Sequence, residues 1–98
     1  MDISQAREIA DRLLAKFGEP ANPVALFGNE AVKDAGWCFV FPWDTARYVE
    51  TRDRRYLLGP GCGPIAVVKE SGDAWMMHGA TSSDVQLAAY AVEHGIAI

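Results

Sequence analysis

Cys62, His78 and His94 are the residues whose side chains could, by type, carry covalent chemistry. A cysteine is a nucleophile only as its thiolate, which needs a base or a positive field beside it. Cys62 sits in Gly59-Pro60-Gly61-Cys62-Gly63-Pro64, and neither histidine lies in a local signature that would mark it as the partner base. No Asn or Asp is placed to complete such a set. Cys62 therefore reads first as a small loop residue, and a small thiol enzyme using it is the alternative. The two histidines are isolated and no Cys or His pair has ligand spacing, so neither a metal nor another cofactor is expected. His94 is explained by the end of a helix, where an imidazole caps carbonyls and complements the dipole.

The same Gly/Pro stretch could form a nest of backbone N–H groups for an anion. It lacks the Lys-Ser/Thr of a phosphate loop, and no helix follows it. Glycines that permit a positive φ and a close approach of two backbones are the simpler explanation, and Gly63 is expected to need that conformation. The one local concentration of cations is Arg47, Arg52, Arg54 and Arg55, interleaved with Asp44, Glu50 and Asp53. Segment 44–55 carries net +1 in a chain of net charge -4, which leaves -5 for the remainder. Arginine is enriched at interface hot spots and pairs bidentately with carboxylates. A partner-binding surface of these seven residues and Trp43 is one reading; a solvated loop with internal ion pairs is the other.

Such residues need a scaffold, and Gly36–Trp43 is its centre. Trp37, Phe39, Phe41 and Trp43 fall at every second position, so a strand would place them on one face. Cys38 and Val40 make the other face apolar too, which puts the strand in the middle of a sheet. The aromatic row could be a stacking platform for bases. With no basic residues on the strand it reads as core, Trp43 having the best chance of exposure.

Ile3, Ala6, Ala10, Leu13, Leu14 and Phe17 repeat at three and four, predicting an amphipathic helix over 3–17, with Arg7 among the wet-side residues, Asp2 or Ser4 as cap and Gly18 as stop. Val24–Phe27 predicts a short strand, and 44–53 a helical turn capped by Asp44 or Thr45. Residues 54–58 predict a further short strand. Pro64–Lys69 and Asp73–His78 predict a hairpin turning at Glu70–Gly72. Ser83-Asp84-Val85-Gln86 matches a capping box for a helix running to His94 and stopped by Gly95, with Val85, Ala88, Ala89 and Val92 as its apolar stripe. The order predicts an α+β fold: an antiparallel sheet of about 4–5 strands, with the N- and C-terminal helices packed on one face.

A length of 98 residues suits one domain and is too short for two. Half of the residues are hydrophobic, a generous share that leaves apolar surface for an interface. The acidic balance argues against nucleic acid as a partner, since phosphate binding needs a basic surface. The N-terminus has no basic and apolar leader pattern, and no apolar run approaches the roughly 20 residues that span a bilayer. A soluble, cytoplasmic protein without a membrane partner is expected, as a monomer or weak homodimer.

The ordered set Gly36-Trp37-Cys38-Phe39-Val40-Phe41, Tyr48, Gly61-Cys62-Gly63-Pro64-Ile65, Gly72 and Gly79-Ala80-Thr81-Ser82 resembles the YrhB/immunity protein 35 family of small bacterial domains. The resemblance spans nearly the whole chain. It departs at Cys62, where the family's Gly-x-Gly-Pro carries Asn or Asp. The resemblance implies an immunity protein of a bacterial polymorphic toxin system, which binds and neutralises a cognate toxin and catalyses nothing. It further implies Trp37, Phe39, Phe41, Gly61, Gly63, Pro64 and Gly72 as structural positions. A stand-alone chaperone-like or accessory binding protein is the other non-catalytic alternative.

Overall fold

The computed structural model describes residues 1–58, 62–79 and 81–96. The nest considered around Gly59–Gly61, Gly61 included, lies outside the described residues. Helix α1 (Ile3–Leu14) opens with Asp2 as N-cap: its carboxylate accepts from the Gln5 N–H, while the Gln5 side chain accepts from the Asp2 N–H. This capping box satisfies two orphan donors at once. The helix ends at Leu14 and not at residue 17. Its last bonds tighten to Lys16–Leu13 and Phe17–Leu14, and Phe17 swings out to 51% exposure. Arg7 leaves the wet side and donates to the Phe27 carbonyl at 2.9 Å and to Asn29 Oδ1 at 3.0 Å.

Among the described residues six strands follow: β1 (Val24–Leu26), β2 (Lys33–Asp34), β3 (Cys38–Phe41), β4 (Trp43–Thr45), β5 (Cys62–Val68) and β6 (Ala74–His78). They form an antiparallel four-stranded sheet in the order β2-β3-β5-β6 and a separate two-stranded β1-β4 ribbon. Helix α2 (Ala46–Thr51) follows β4, and α3 (Ser83–Glu93) closes the described order. The class is α+β, with β3 inside the sheet as its two apolar faces require. Residues 54–58 do not form a strand: Arg54–Tyr56 is a 3-10 turn capped by the Asp53 carboxylate. The hairpin turns as expected, with Gly72 at φ +75° and its N–H bonded to the Val68 carbonyl at 2.8 Å.

The two outer helices lie on opposite faces of the sheet, not on one. Ala6, Ala10 and Leu14 of α1 pack on Phe39, Phe41, Ile65 and Val67. Leu87 of α3 packs on Cys38, Val40, Ala66 and Met77. A sheet whose central strands are apolar on both sides needs a cover on each. Burial holds the Cys38 thiol protonated at neutral pH, its pKa pushed up to about 11.

Trp37 departs from the aromatic row. Strand alternation begins only at Cys38, and Gly36 at φ +92° turns the chain just before it. Trp37 is consequently half-buried on the α3 side, stacked near Trp75 (6.5 Å) and Tyr90 (5.7 Å). It is not a buried neighbour of Phe39 and Phe41. Gly63 is restricted by the second of the two reasons expected of these glycines, the close approach of two backbones, and not by the first. It does not adopt a positive φ. It lies where the β5–β6 register shifts, and a Cβ there would overlap the Met77 carbonyl.

Helix α3 presents a face opposite to the one its composition indicated. Leu87 and Ala91 are buried, whereas Val85 and Val92 are 59% and 81% exposed. Ser82 is its N-cap but makes no side-chain cap bond. Gln86 is diverted to the edge of β6, where it accepts from the His78 N–H at 2.8 Å and donates to the His78 carbonyl at 2.9 Å. One turn further along, the Tyr90 hydroxyl donates to Asp73 and its ring stacks on Trp75 at 4.0 Å. These two anchors fix the rotation of the helix.

The Asp73 hydrogen bond is the leading reason that the Tyr90 pKa rises to about 12. A hydroxyl with a folded pKa above its unfolded value near 10 stabilises the fold below that pH. The contribution is lost as pH rises through about 12. Denaturant midpoints measured from pH 9 to pH 12 should therefore fall more steeply for the parent than for Tyr90→Phe. Parallel curves would show that this hydrogen bond does not contribute.

Candidate functional site

Segment 43–58 is held in place by two polar anchors. Thr45 is buried; its hydroxyl accepts from the Tyr48 N–H at 3.1 Å, capping α2, and donates to the Tyr56 carbonyl at 2.6 Å. Asp44 accepts from the Thr45 N–H at 2.7 Å and from the Leu58 N–H at 3.0 Å. Together they tie the chain leaving the 3-10 turn back onto β4. Helix α2 stops at Arg52, which takes the left-handed conformation (φ 60°) and donates its N–H to the Tyr48 carbonyl at 2.7 Å.

The arginines are organised by aromatic rings. The Arg52 guanidinium lies 4.5 Å from the centre of Phe27, which meets Tyr48 edge to face at 6.0 Å. Arg47 and Arg55 both approach the Tyr56 ring, at 5.5 and 5.9 Å. Weakly hydrated guanidinium planes are held over π-faces in this way, and only the N–H groups not already bonded within the chain, as Arg52 Nε is to the Val49 carbonyl, stay available. Arg55 also forms a forked pair with Asp53, the shorter bond being 2.6 Å. That side-chain pairing, followed by the Arg55 backbone N–H, holds the Asp53 carboxyl below its ordinary pKa.

Of the residues expected here, Arg47, Glu50, Arg52, Arg54 and Arg55 are exposed. Three others have different roles. Trp43 is buried and its indole N–H donates to the Gly63 carbonyl at 2.8 Å, so it joins β4 to β5. Asp44 and Asp53 are half-buried, with carboxylates committed to backbone N–H groups, and do not form a free acidic rim. The structure resolves where each charged side chain of the segment lies. Asp53 is paired with Arg55 and Asp44 is bound to backbone N–H groups, while Glu50 and the arginines face solvent.

The structure adds residues that sequence reasoning left out. Tyr56 is the ring between two guanidinium groups, and Leu57, Leu58 and Phe17 are 46%, 40% and 51% exposed. Leu58 and Phe17 line a hollow of about 200 Å³ with Glu19, Asn22 and Val24. A signal was present in the adjacent pair Leu57-Leu58, since two neighbouring apolar residues in a short turn cannot both face the core. Arg and Tyr are residue types enriched at interface hot spots, and the exposed leucines beside them add apolar surface.

The other candidates are chemically poorer. Cys62 lies in β5, not in a loop, and the strand register sets it opposite His78. His94 stacks on Tyr90 at 3.8 Å, with Nδ1 3.0 Å from the Tyr90 carbonyl. Among the described residues no group of three His, Cys, Asp or Glu side chains is arranged to hold a metal, and no helix is long and apolar enough to cross a membrane. Two open hollows of about 330 and 290 Å³ flank the β5–β6 turn, near Trp37 and near Tyr90 and His94.

Compared with known proteins, residues 4–92 match the model of a family described as immunity protein 35. No curated protein and no solved structure matches the chain.

Proposed function

The chain belongs to the immunity protein 35 family, and from that membership we propose that it binds and neutralises a cognate bacterial toxin domain without catalysis of its own. The observation that supports a particular contact surface is the pair of guanidinium groups over Tyr56, beside the exposed Arg54, Leu57, Leu58 and Phe17. Toxin carboxylates would take the arginine forks, and an apolar toxin side chain would enter the hollow between Phe17 and Leu58. Net charge of -4 gives the chain a long-range field that favours a basic toxin and makes association slower as salt rises.

The test is complex formation with the toxin domain encoded beside the chain's own gene, followed by size and by protection of cells that express the toxin. A stoichiometric complex and protection are expected. Absence of both at micromolar concentrations would remove the reading. One observation favours a second reading, a thiol function: Cys62 and His78 are register partners across β5 and β6. In the same protection assay Cys62→Ala is expected to protect as the parent does. Loss of protection by that variant at unchanged stability would favour the thiol.

A further inference from the structure

Helix α3 is apolar on two opposite sides, and the fold uses only one. Leu87, Tyr90 and Ala91 face the sheet. Val85, Ala88, Ala89 and Val92 lie within an arc of roughly 100° on the other side, at 3.6 residues per turn. All four are exposed, Val92 to 81%. A contiguous exposed apolar stripe on a helix is a surface that a partner commonly covers. The anchors Gln86–His78 and Tyr90–Asp73 prevent α3 from rolling to hide this stripe.

We propose that the stripe is covered by α3 of a second copy, packed antiparallel across a two-fold axis between Ala88 and Ala89. The spacing is a palindrome: Val, three on Ala, one on Ala, three on Val. Reversing the helix therefore sets Val85 against Val92 of the second copy and Ala88 against its Ala89. A self-complementary patch is what a two-fold interface demands. The two alanines at the axis allow the close approach, about 8 Å between helix axes, that small residues permit.

Charge does not oppose the arrangement. Asp84 and Glu93 are the only charged residues of α3, and they lie on opposite flanks of the stripe. The two-fold axis leaves each about 13 Å along the helix from its own mate, at 1.5 Å per residue. That distance exceeds the screening length of about 8 Å at physiological salt. Asp84 is in addition paired with Lys33 at 3.1 Å. Four small side chains supply much less than the roughly 800 Å² per partner of a standard stable interface, so the dimer is weak and concentration-dependent. The Arg–Tyr surface lies on another part of the chain, and this contact does not depend on the toxin reading.

Sedimentation of the purified chain from about 10 μM to about 1 mM, the range open to a small apolar contact, should show a monomer–dimer equilibrium. Ala88→Arg places two guanidinium groups at the axis and should weaken the dimer by more than about tenfold, with the helical circular dichroism unchanged. Ala89→Glu should do the same. Mixing the two variants should restore a heterodimer, because the guanidinium introduced on one copy meets the carboxylate introduced on the other only in the antiparallel register. A parent that stays monomeric over the whole range overturns the proposal. So does a dimer that survives Ala88→Arg, or a mixture that fails to pair where the parent does.

Discussion

Replacing Arg54 and Arg55 together by glutamate should abolish protection of toxin-expressing cells while leaving a cooperative thermal transition. Both side chains point to solvent, and the Arg55–Asp53 pair is exposed on the Arg55 side, so little stability depends on them. The 3-10 turn that carries them keeps its own anchors, the Thr45 hydroxyl on the Tyr56 carbonyl and Asp44 on the Leu58 N–H. A toxin face with carboxylates placed for arginine forks would instead meet two more carboxylates. Desolvated like charges are among the costliest interface errors, and the expected loss is about a hundredfold or more in Kd, mainly through the off-rate. Surface-immobilised toxin and a range of chain concentrations would measure it. Full protection by the double variant would place the interface on a different face.

Gly63→Ala and Phe41→Ala should each destabilise the fold severely, for different reasons. Phe41 is fully buried between α1 and the sheet, and its truncation is expected to cost about 3–5 kcal/mol. A typical stability is only about 5–15 kcal/mol, so a large fraction would be lost. Gly63 carries no side chain to lose. The added methyl would overlap the Met77 backbone and force β5 and β6 apart at the bulge. It would also shift the carbonyl that receives the Trp43 indole N–H, the tie between the ribbon and the main sheet. Thermal and denaturant melts of both variants would decide the point. Trp37→Ala is the contrast, expected to melt closer to the parent because that ring is only half-buried. A Gly63→Ala chain as stable as the parent would contradict the close approach of the two strands.

By itself the sequence determined much of what depends on neighbours along the chain, though not the Ser83–Gln86 box or the form of residues 54–58. The apolar period of α1 and its Asp2–Gln5 box, the Thr45 cap of α2, the Glu70–Gly72 turn and the two apolar faces of β3 are local patterns, and each formed as its residues dictate. The α+β class followed from their order, and the ordered Gly and aromatic motifs sufficed for the family resemblance. The arginine cluster was also legible as exposed charge. Its supporting ring, Tyr56, and its apolar margin, Phe17 with Leu57 and Leu58, were not. What the tertiary structure decided is which way each ambiguous residue turned. Trp43 and Asp44 went inward because Gly63, 20 residues away, and Leu58, 14 away, offered their indole and carboxylate partners. Trp37 crossed the sheet to a stack completed by Trp75 and Tyr90. Helix α3 has two apolar sides of similar strength, so its composition could not choose between them. Hydrogen bonds from Gln86 to His78 and from Tyr90 to Asp73 made the choice, and such long-range bonds exist only once the strands they reach are in place.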